Sequence, residues 1–364
     1  MFVYVVFYIY LCNLNLKRMK KICLLILLCL ATISSRAQDI DALLAAGVKN
    51  AERFANDYLA PGTNGLMHSM NANWFNTADA KPLGGFEISI IANAATVKDE
   101  HKSFLMNIAD YNSDPDQDFT VEFADGAASK KVASALGEND PDIDIIVRYE
   151  DSENPILGEQ EESIRLPSGI GSVSANLLPT AFIQGALGLS KGIEIKARFV
   201  PKIDTDDVSL SMYGAGLQVE FTKWLPADKI LPVAVSGLVA YTHLDGSYDF
   251  TEIGLVEGEN QQIDTKVNTI LLELIVGTKL KIINFYGGLG YITGKSTTDL
   301  LGTYRVSDGV LFSEEIIDPF SIKQDISGLR GTIGSHLKIG FFSFNLDYTI
   351  AEFDSASLGF NFSF

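Results

Sequence analysis

The sequence predicts an all-β fold: a transmembrane antiparallel β-barrel of about 10–14 strands with an N-terminal α-helical, plug-like segment. Three observations carry it. An apolar run behind two lysines opens the chain like an export signal. Strands of about ten residues or longer, the length a tilted membrane strand needs, alternate apolar with small or polar residues from residue 83 onward. The chain then ends ASLGFNFSF, with Ala356, Leu358, Phe360, Phe362 and Phe364 on one face of a strand and Ser357, Gly359, Asn361 and Ser363 on the other.

Residues 1–37 read as a signal-peptide region. From Met19, the expected true start, Lys20 and Lys21 precede an apolar stretch from Ile22 to Ile33 that is too short to span a bilayer as a helix. Ser35-Arg36-Ala37 places small residues where a signal peptidase reads, so cleavage after Ala37 is expected. The three cysteines, Cys12, Cys23 and Cys29, all lie in this region. Leu28 and Ile22 precede the latter two, where a lipoprotein would need a small residue, and no lipidation is expected. No disulfide can then hold the remainder together.

Without residues 1–37, 23 basic side chains face 46 acidic ones. Such a chain offers no cationic surface for a phosphate backbone, and nucleic acid is excluded as a partner.

Residues 38–82 form the N-terminal segment. In DIDALLAAGVKNAERFANDYL, residues 39–59, Ile40, Leu43, Leu44, Val48, Ala51, Phe54, Ala55 and Tyr58 recur at helical spacing. Pro61-Gly62 is expected to stop this helix. A strand over 65–75 would make the count odd, so an even barrel needs either none there or another in the insertion. Residues 38–82 are enough material to plug a lumen or to dock beneath it.

Residues 83–364 form the barrel. Alternation is clear at 86–93, 193–199, 213–221, 333–341, 342–350 and 356–364, and weaker at 180–189, 231–248, 266–280 and 282–293. With Phe364 at the periplasmic side, the turns near Phe341, Lys281, Trp224-Leu225-Pro226 and Ser190-Lys191-Gly192 fall inside. The long connections 297–325 and 249–264, and an insertion at 96–170, fall outside. Short turns on one side and long loops on the other is the asymmetry of an outer-membrane barrel.

The insertion is acidic. Between Asp99 and Glu162, eighteen Asp or Glu face four Lys or Arg. Asp114, Asp116 and Asp118, and again Asp140, Asp142 and Asp144, carry carboxylates at every second position, a spacing that suits Ca2+. Phe119 and Ile145 stand where a calcium loop requires glycine, so a solvated acidic loop without cofactor is the main expectation.

A second group is defined by strand parity. Glu87, Glu194, Lys196, Arg198, Glu220, Glu273, Lys279, His336, Lys338 and Asp347 are assigned to the lumen face. Charges facing lipid cost a few kcal/mol at the midplane, so they belong in a wet or plug-filled interior. Both signs occur, which predicts cross-linking ion pairs and not a strongly ion-selective pore.

No enzyme is expected. His68, His101, His243 and His336 stand in no paired motif. Gly188-Leu189-Ser190-Lys191-Gly192 matches a nucleophile elbow by letter, but IEIKARFV follows where a helix should.

DIDALLAAGVKNAERFANDYLAP, NWFNTADAKPLGGFEISI, LPTAFIQGALGL and DYTIAEFDSASLGFNFSF resemble an uncharacterised family of bacterial outer-membrane barrel proteins. The resemblance runs over nearly the whole chain after the leader. It implies the fold and the outer membrane of a Gram-negative bacterium, but no activity. More distantly the layout, a helical hatch before long strands, is similar to FadL-type fatty-acid channels, whose Asn-Pro-Ala hatch motif is absent here. Expected partners are outer-membrane lipids, the barrel-assembly machinery, for which Phe360, Phe362 and Phe364 are the terminal signal, and a small, possibly hydrophobic, ligand. A passive channel for such a molecule leads. A non-transporting surface-binding or assembly-associated barrel is the alternative.

Overall fold

The computed structural model describes residues 47–364 except 116, 151–158, 170, 172–175, 206, 227–231, 250–257 and 309–311. The signal-peptide region and the first turns of the expected helix lie outside the described residues.

Helix α1, Val48–Ser69, comes first, and β1, Phe86–Thr96, follows it. Five short strands come next: β2 (Ser103–Asn107), β3 (Phe119–Phe123), β4 (Ser129–Ala133), β5 (Asp144–Glu150) and β6 (Glu159–Arg165). The long strands resume with β7 (Leu177–Ser190), β8 (Ile193–Asp204), β9 (Val208–Glu220), β10 (Val233–Asp249), β11 (Gly258–Thr278) and β12 (Ile283–Asp308). Then come β13 (Phe312–Ile317), β14 (Phe320–Ile339), β15 (Phe342–Ile350) and β16 (Ser355–Ser363).

Among the described residues ten strands close a barrel: β1, β7 to β12, and β14 to β16, all antiparallel, with β13 folded back on β12. Closure needs the first strand to meet the last. β1 pairs with β16 in the register Ile90↔Phe360, and Phe86 and Phe364 exchange backbone hydrogen bonds of 3.1 and 2.8 Å. A closed barrel leaves no row of unpaired amides, the condition for standing in lipid. We call the rim bearing Phe364 the lower rim.

Period two sorts the side chains. On β15, Phe342, Phe344, Leu346, Tyr348 and Ile350 point outward and are 37–59% exposed, while Ser343, Asn345, Asp347 and Thr349 point inward and are buried. The same division runs around the wall, with Ile88, Ile90, Leu217, Leu272, Leu289 and Leu329 outside. A continuous apolar belt of this kind suits lipid and not water. On β10 and β11 the belt gives way upward to a polar edge, where Tyr241 and His243 both bond Asn268, at 2.6 and 2.8 Å.

Two sequence expectations change, and the alternative left open at 65–75 is decided. Pro61-Gly62 does not stop the helix, which continues through Pro61 to Ser69. Proline removes one helical hydrogen bond, but the turn beyond it buries Gly65, Met67, His68 and Ser69, and that packing prevails over the local signal. No strand forms at 65–75. The supposed 297–325 connection is mostly wall: β12 has 26 residues and β14 has 20, against the about 9–11 a bilayer needs, so both rise beyond the belt.

The insertion is also more than a solvated loop. β2 pairs with β4, and β3, β5 and β6 form a second sheet. Between them Met106, Val121, Phe123, Val132, Ile145, Val147 and Ile164 make a separate core, and α1 contributes Phe54. Glu122 on β3, Asp144 on β5 and Glu159 and Glu161 on β6 lie on the face away from this core.

Candidate functional site

The candidate site is the barrel interior and the segment that fills it. Asn56, midway along α1, accepts a hydrogen bond of 2.6 Å from Gln324, near the top of β14. Past the helix, Asn71 bonds Thr269 at 2.8 Å, Asn76 bonds Glu87 at 2.9 Å, and the Ala80 amide bonds Glu220 at 2.7 Å. The Gly84 amide then bonds the Gly188 carbonyl at the lower rim, and β1 begins two residues on. The chain therefore passes from the insertion, against which the first half of α1 packs, down through the lumen over residues 66–85 to the lower rim before becoming wall.

One sector of the wall grips this plug by packing. Met67, Met70, Trp74, Phe75 and Ala78 form one buried cluster with Phe182, Leu238, Leu271, Ile275, Ile292 and Ile326. Glycines make the room. A Cβ added at Gly214 or Gly216 would stand 3.0 or 3.2 Å from the Trp74 ring, and one at Gly288 would stand 2.8 Å from Phe75. Only a wall without side chains at these points admits rings of that size.

The charges grip the plug by its backbone. Arg198 donates to the carbonyls of Met70 and Asn73 at 2.8 and 3.0 Å, and to Gln184 at 2.8 Å. Arg330 donates to the Asn71 carbonyl at 2.9 Å and lies 3.3 Å from Glu273. Glu220 accepts the Ala80 amide and pairs with Lys279 at 2.8 Å. Glu194 accepts the Lys81 amide at 2.9 Å and pairs with Lys196 at 3.1 Å. Glu87 lies 3.3 Å from Lys81, and Asp347 accepts from Asn73 and Tyr286. A buried charge is tolerable when paired and hydrogen-bonded, and most of these meet the condition through the plug.

Of the lumen set read from parity, Glu87, Glu194, Lys196, Arg198, Glu220, Glu273, His336 and Asp347 are buried on the inner face. Lys279 lies just beyond β11 on Glu220, and Lys338 is exposed near the lower end of β14. Sequence reasoning missed Arg330, because 297–325 was read as a loop and β14 was begun too late. It also missed Lys81 and Tyr286, and the glycine seats under Trp74 and Phe75.

Members of the acidic runs meet basic side chains. Asp114 meets Lys49 at 2.5 Å, and Asp142 and Asp144 both meet Arg165, at 2.9 and 3.1 Å. Asp118 and Asp140 are exposed, and Asp116 lies outside the described residues. Among the described residues no three His, Cys, Asp or Glu side chains gather closely enough to hold an ion. At the C-terminus, Phe360 points outward, and Phe364 is 75% exposed at the lower rim.

The histidines separate. His101 stacks on Phe353 at 3.9 Å in the turn joining β15 to β16, and His68 lies 3.5 Å from Glu352 in that same turn. Burial lowers the His101 pKa, and the hydrogen bond from His68 is the main cause lowering that of Glu352. Ser134 bonds the His101 carbonyl and not its ring. Ser190 sits in the β7–β8 hairpin, so the elbow-like letters form a turn. His336 is 2% exposed, and neither ring nitrogen has a partner among the described residues.

A family model described as "Family of unknown function (DUF6588)" matches residues 19–364. No curated protein matches the chain. Among solved structures, the translocator domain of the autotransporter NalP from Neisseria meningitidis is 10% identical. It aligns over 91% of this chain and 100% of its own, with a TM-score of 0.27. The attachment invasion locus protein Ail of Yersinia pestis is 10% identical over 78% of this chain and 99% of its own, with a TM-score of 0.21. OmpT, an outer membrane protein of Vibrio cholerae, is 9% identical over 79% and 100%, with a TM-score of 0.19.

Proposed function

The chain belongs to the family of unknown function DUF6588, and from that premise we propose that it is an outer-membrane barrel of a Gram-negative bacterium, a passive channel for a small molecule held shut by its own N-terminal segment. One observation carries the reading: residues 66–82 occupy the lumen and hold it through both an apolar cluster and buried charges. A barrel that served only as a scaffold could fill its interior from its own wall side chains. Here the wall glycines leave room for a separate segment, which is the arrangement of a removable plug.

The test is single-channel conductance in a planar bilayer. The full chain is expected to be closed, and a chain lacking residues 48–82 to open in steps. Trp74→Ala with Arg198→Gln, which keeps the chain length, is expected to open intermittently. Free conduction by the full chain would overturn the plug.

A second reading, binding at the cell surface, is favoured by the upper unit. It has its own core and presents acidic strands away from the barrel. Binding that persists in a barrel locked shut would support it.

A further inference from the structure

The interior of the barrel has two sides. The apolar cluster that grips the plug draws wall residues from β1, β7, β9 to β12 and the upper half of β14. Among the described residues it draws none from β15 or β16. Their inner faces are a seam of small polar groups, Ser343, Asn345, Ser357 and Asn361, continued by His336 on β14 and Ser89 on β1.

The pairing makes this seam contiguous. His336 stands opposite Asn345, Ser343 opposite Asn361, and Asn361 opposite Ser89. All are at least nine-tenths buried, yet several polar atoms among them have no partner among the described residues: both ring nitrogens of His336, Ser343 Oγ and Asn361 Oδ1. Buried donors and acceptors are almost always paired, so an unpaired cluster marks a place built for something else to bond. The plug reaches this side by short polar links, Asn73 to Asp347 and Asn76 to Glu87.

We propose that this seam, between the plug and β14, β15, β16 and β1, is the solute path, and that it takes small neutral hydrophilic molecules of the polyol or pentose class. The inference rests on the plugged-channel reading above and adds the route and the substrate class. Hydroxyl-rich solutes offer both donors and acceptors, which is what serine, asparagine and imidazole require. The six polar groups of the seam include no carboxylate, lysine or arginine, and the two carboxylates beside it are engaged. Glu87 is held by Lys81, and Asp347 by Asn73 and Tyr286. A hydrophobic solute would leave the same groups unpaired and would be rejected. Breaking the two asparagine links loosens the plug on this side, where Lys81 still meets Glu87, while the apolar cluster keeps it seated.

The experiment is osmotic swelling of vesicles carrying the full-length chain, in arabinose against sodium glutamate and lysine hydrochloride. Asn73→Ala with Asn76→Ala is expected to speed swelling in arabinose and not in the charged solutes. Adding Ser343→Leu and Asn361→Leu is expected to return the rate to that of protein-free vesicles. Heat-modifiable gel mobility checks that each barrel is folded, and labelling of Ser343→Cys by a hydrophilic thiol reagent, faster in the loosened variant, reads access without flux. Swelling that ignores solute charge or survives the two leucines overturns the seam while leaving the plugged channel standing. If no variant swells in any solute, including Trp74→Ala with Arg198→Gln, both readings fall.

Discussion

The Arg198 guanidinium lies 4.1 Å from the centroid of the Trp74 ring, and both side chains are fully buried. One belongs to the wall and the other to the plug. Away from water a cation over a tryptophan face contributes about 2 kcal/mol, and the same guanidinium satisfies two plug carbonyls. Truncating Trp74→Ala should cost about 3–5 kcal/mol, as for a buried tryptophan elsewhere. Arg198→Met keeps the bulk but orphans the Met70 and Asn73 carbonyls, at about 1–3 kcal/mol each. Urea unfolding in detergent micelles, compared with the parent, measures both losses.

The glycine seat beneath that ring gives an independent test. Gly216→Val, whose Cβ would meet the Trp74 ring first, should push on Trp74 and cost about 1–3 kcal/mol by overpacking. The penalty should shrink when Trp74→Ala is present, because the added methyls then enter the vacated space. A double-mutant cycle on urea stability reads the coupling, and additive losses would mean that the two residues do not meet.

The course of the plug fixes which end of it faces which side. Lys49, at the start of α1, has an 81% exposed side chain and meets Asp114 of the upper unit. Lys281 is exposed in the β11–β12 turn at the lower rim. In intact cells an impermeant maleimide is expected to label Lys49→Cys and to spare Lys281→Cys. The reverse pattern would invert the barrel.

The junction at the upper rim should respond to acid. Burial lowers the His101 pKa from its ordinary 6.5, so the folded form binds its proton less readily than the unfolded chain. Its contribution is complete above pH 6.5 and is lost as pH falls below that value. Glu352 is also lowered, from 4.5, chiefly by the His68 hydrogen bond, so its contribution is present above 4.5 and is lost on further acidification. Limited proteolysis of residues 97–176 should therefore accelerate from about pH 6.5 downward. His101→Phe, which preserves the stack on Phe353, should remove the first part of that response.

Much of the barrel was legible because its two environments differ and its strands have period two. The alternation at 193–199 and 342–350 gave the faces, and it sent Glu194, Arg198 and Asp347 inward without any contact being known. What pairs with them was not legible. The partner of Arg198 lies 124 residues away at Trp74, and its seat is made of glycines, which carry no hydropathy signal. Local signals misled where tertiary burial prevailed, as at Pro61 inside α1. In the insertion, charge count concealed strands: Val121, Phe123, Ile145 and Val147 face a core while acidic neighbours face out.

The most direct measurement is a cross-link between plug and wall. A Cβ at Gly277 would stand 3.3 Å from that of Ala78, close to the separation a disulfide spans. Residues 38–364 contain no cysteine, so Ala78→Cys with Gly277→Cys introduces a unique pair. With the plug in the lumen, the pair should oxidise in the folded barrel and change its mobility on a non-reducing gel. A folded barrel in which the two thiols stay reduced under oxidant would place residue 78 outside the lumen and contradict the plug.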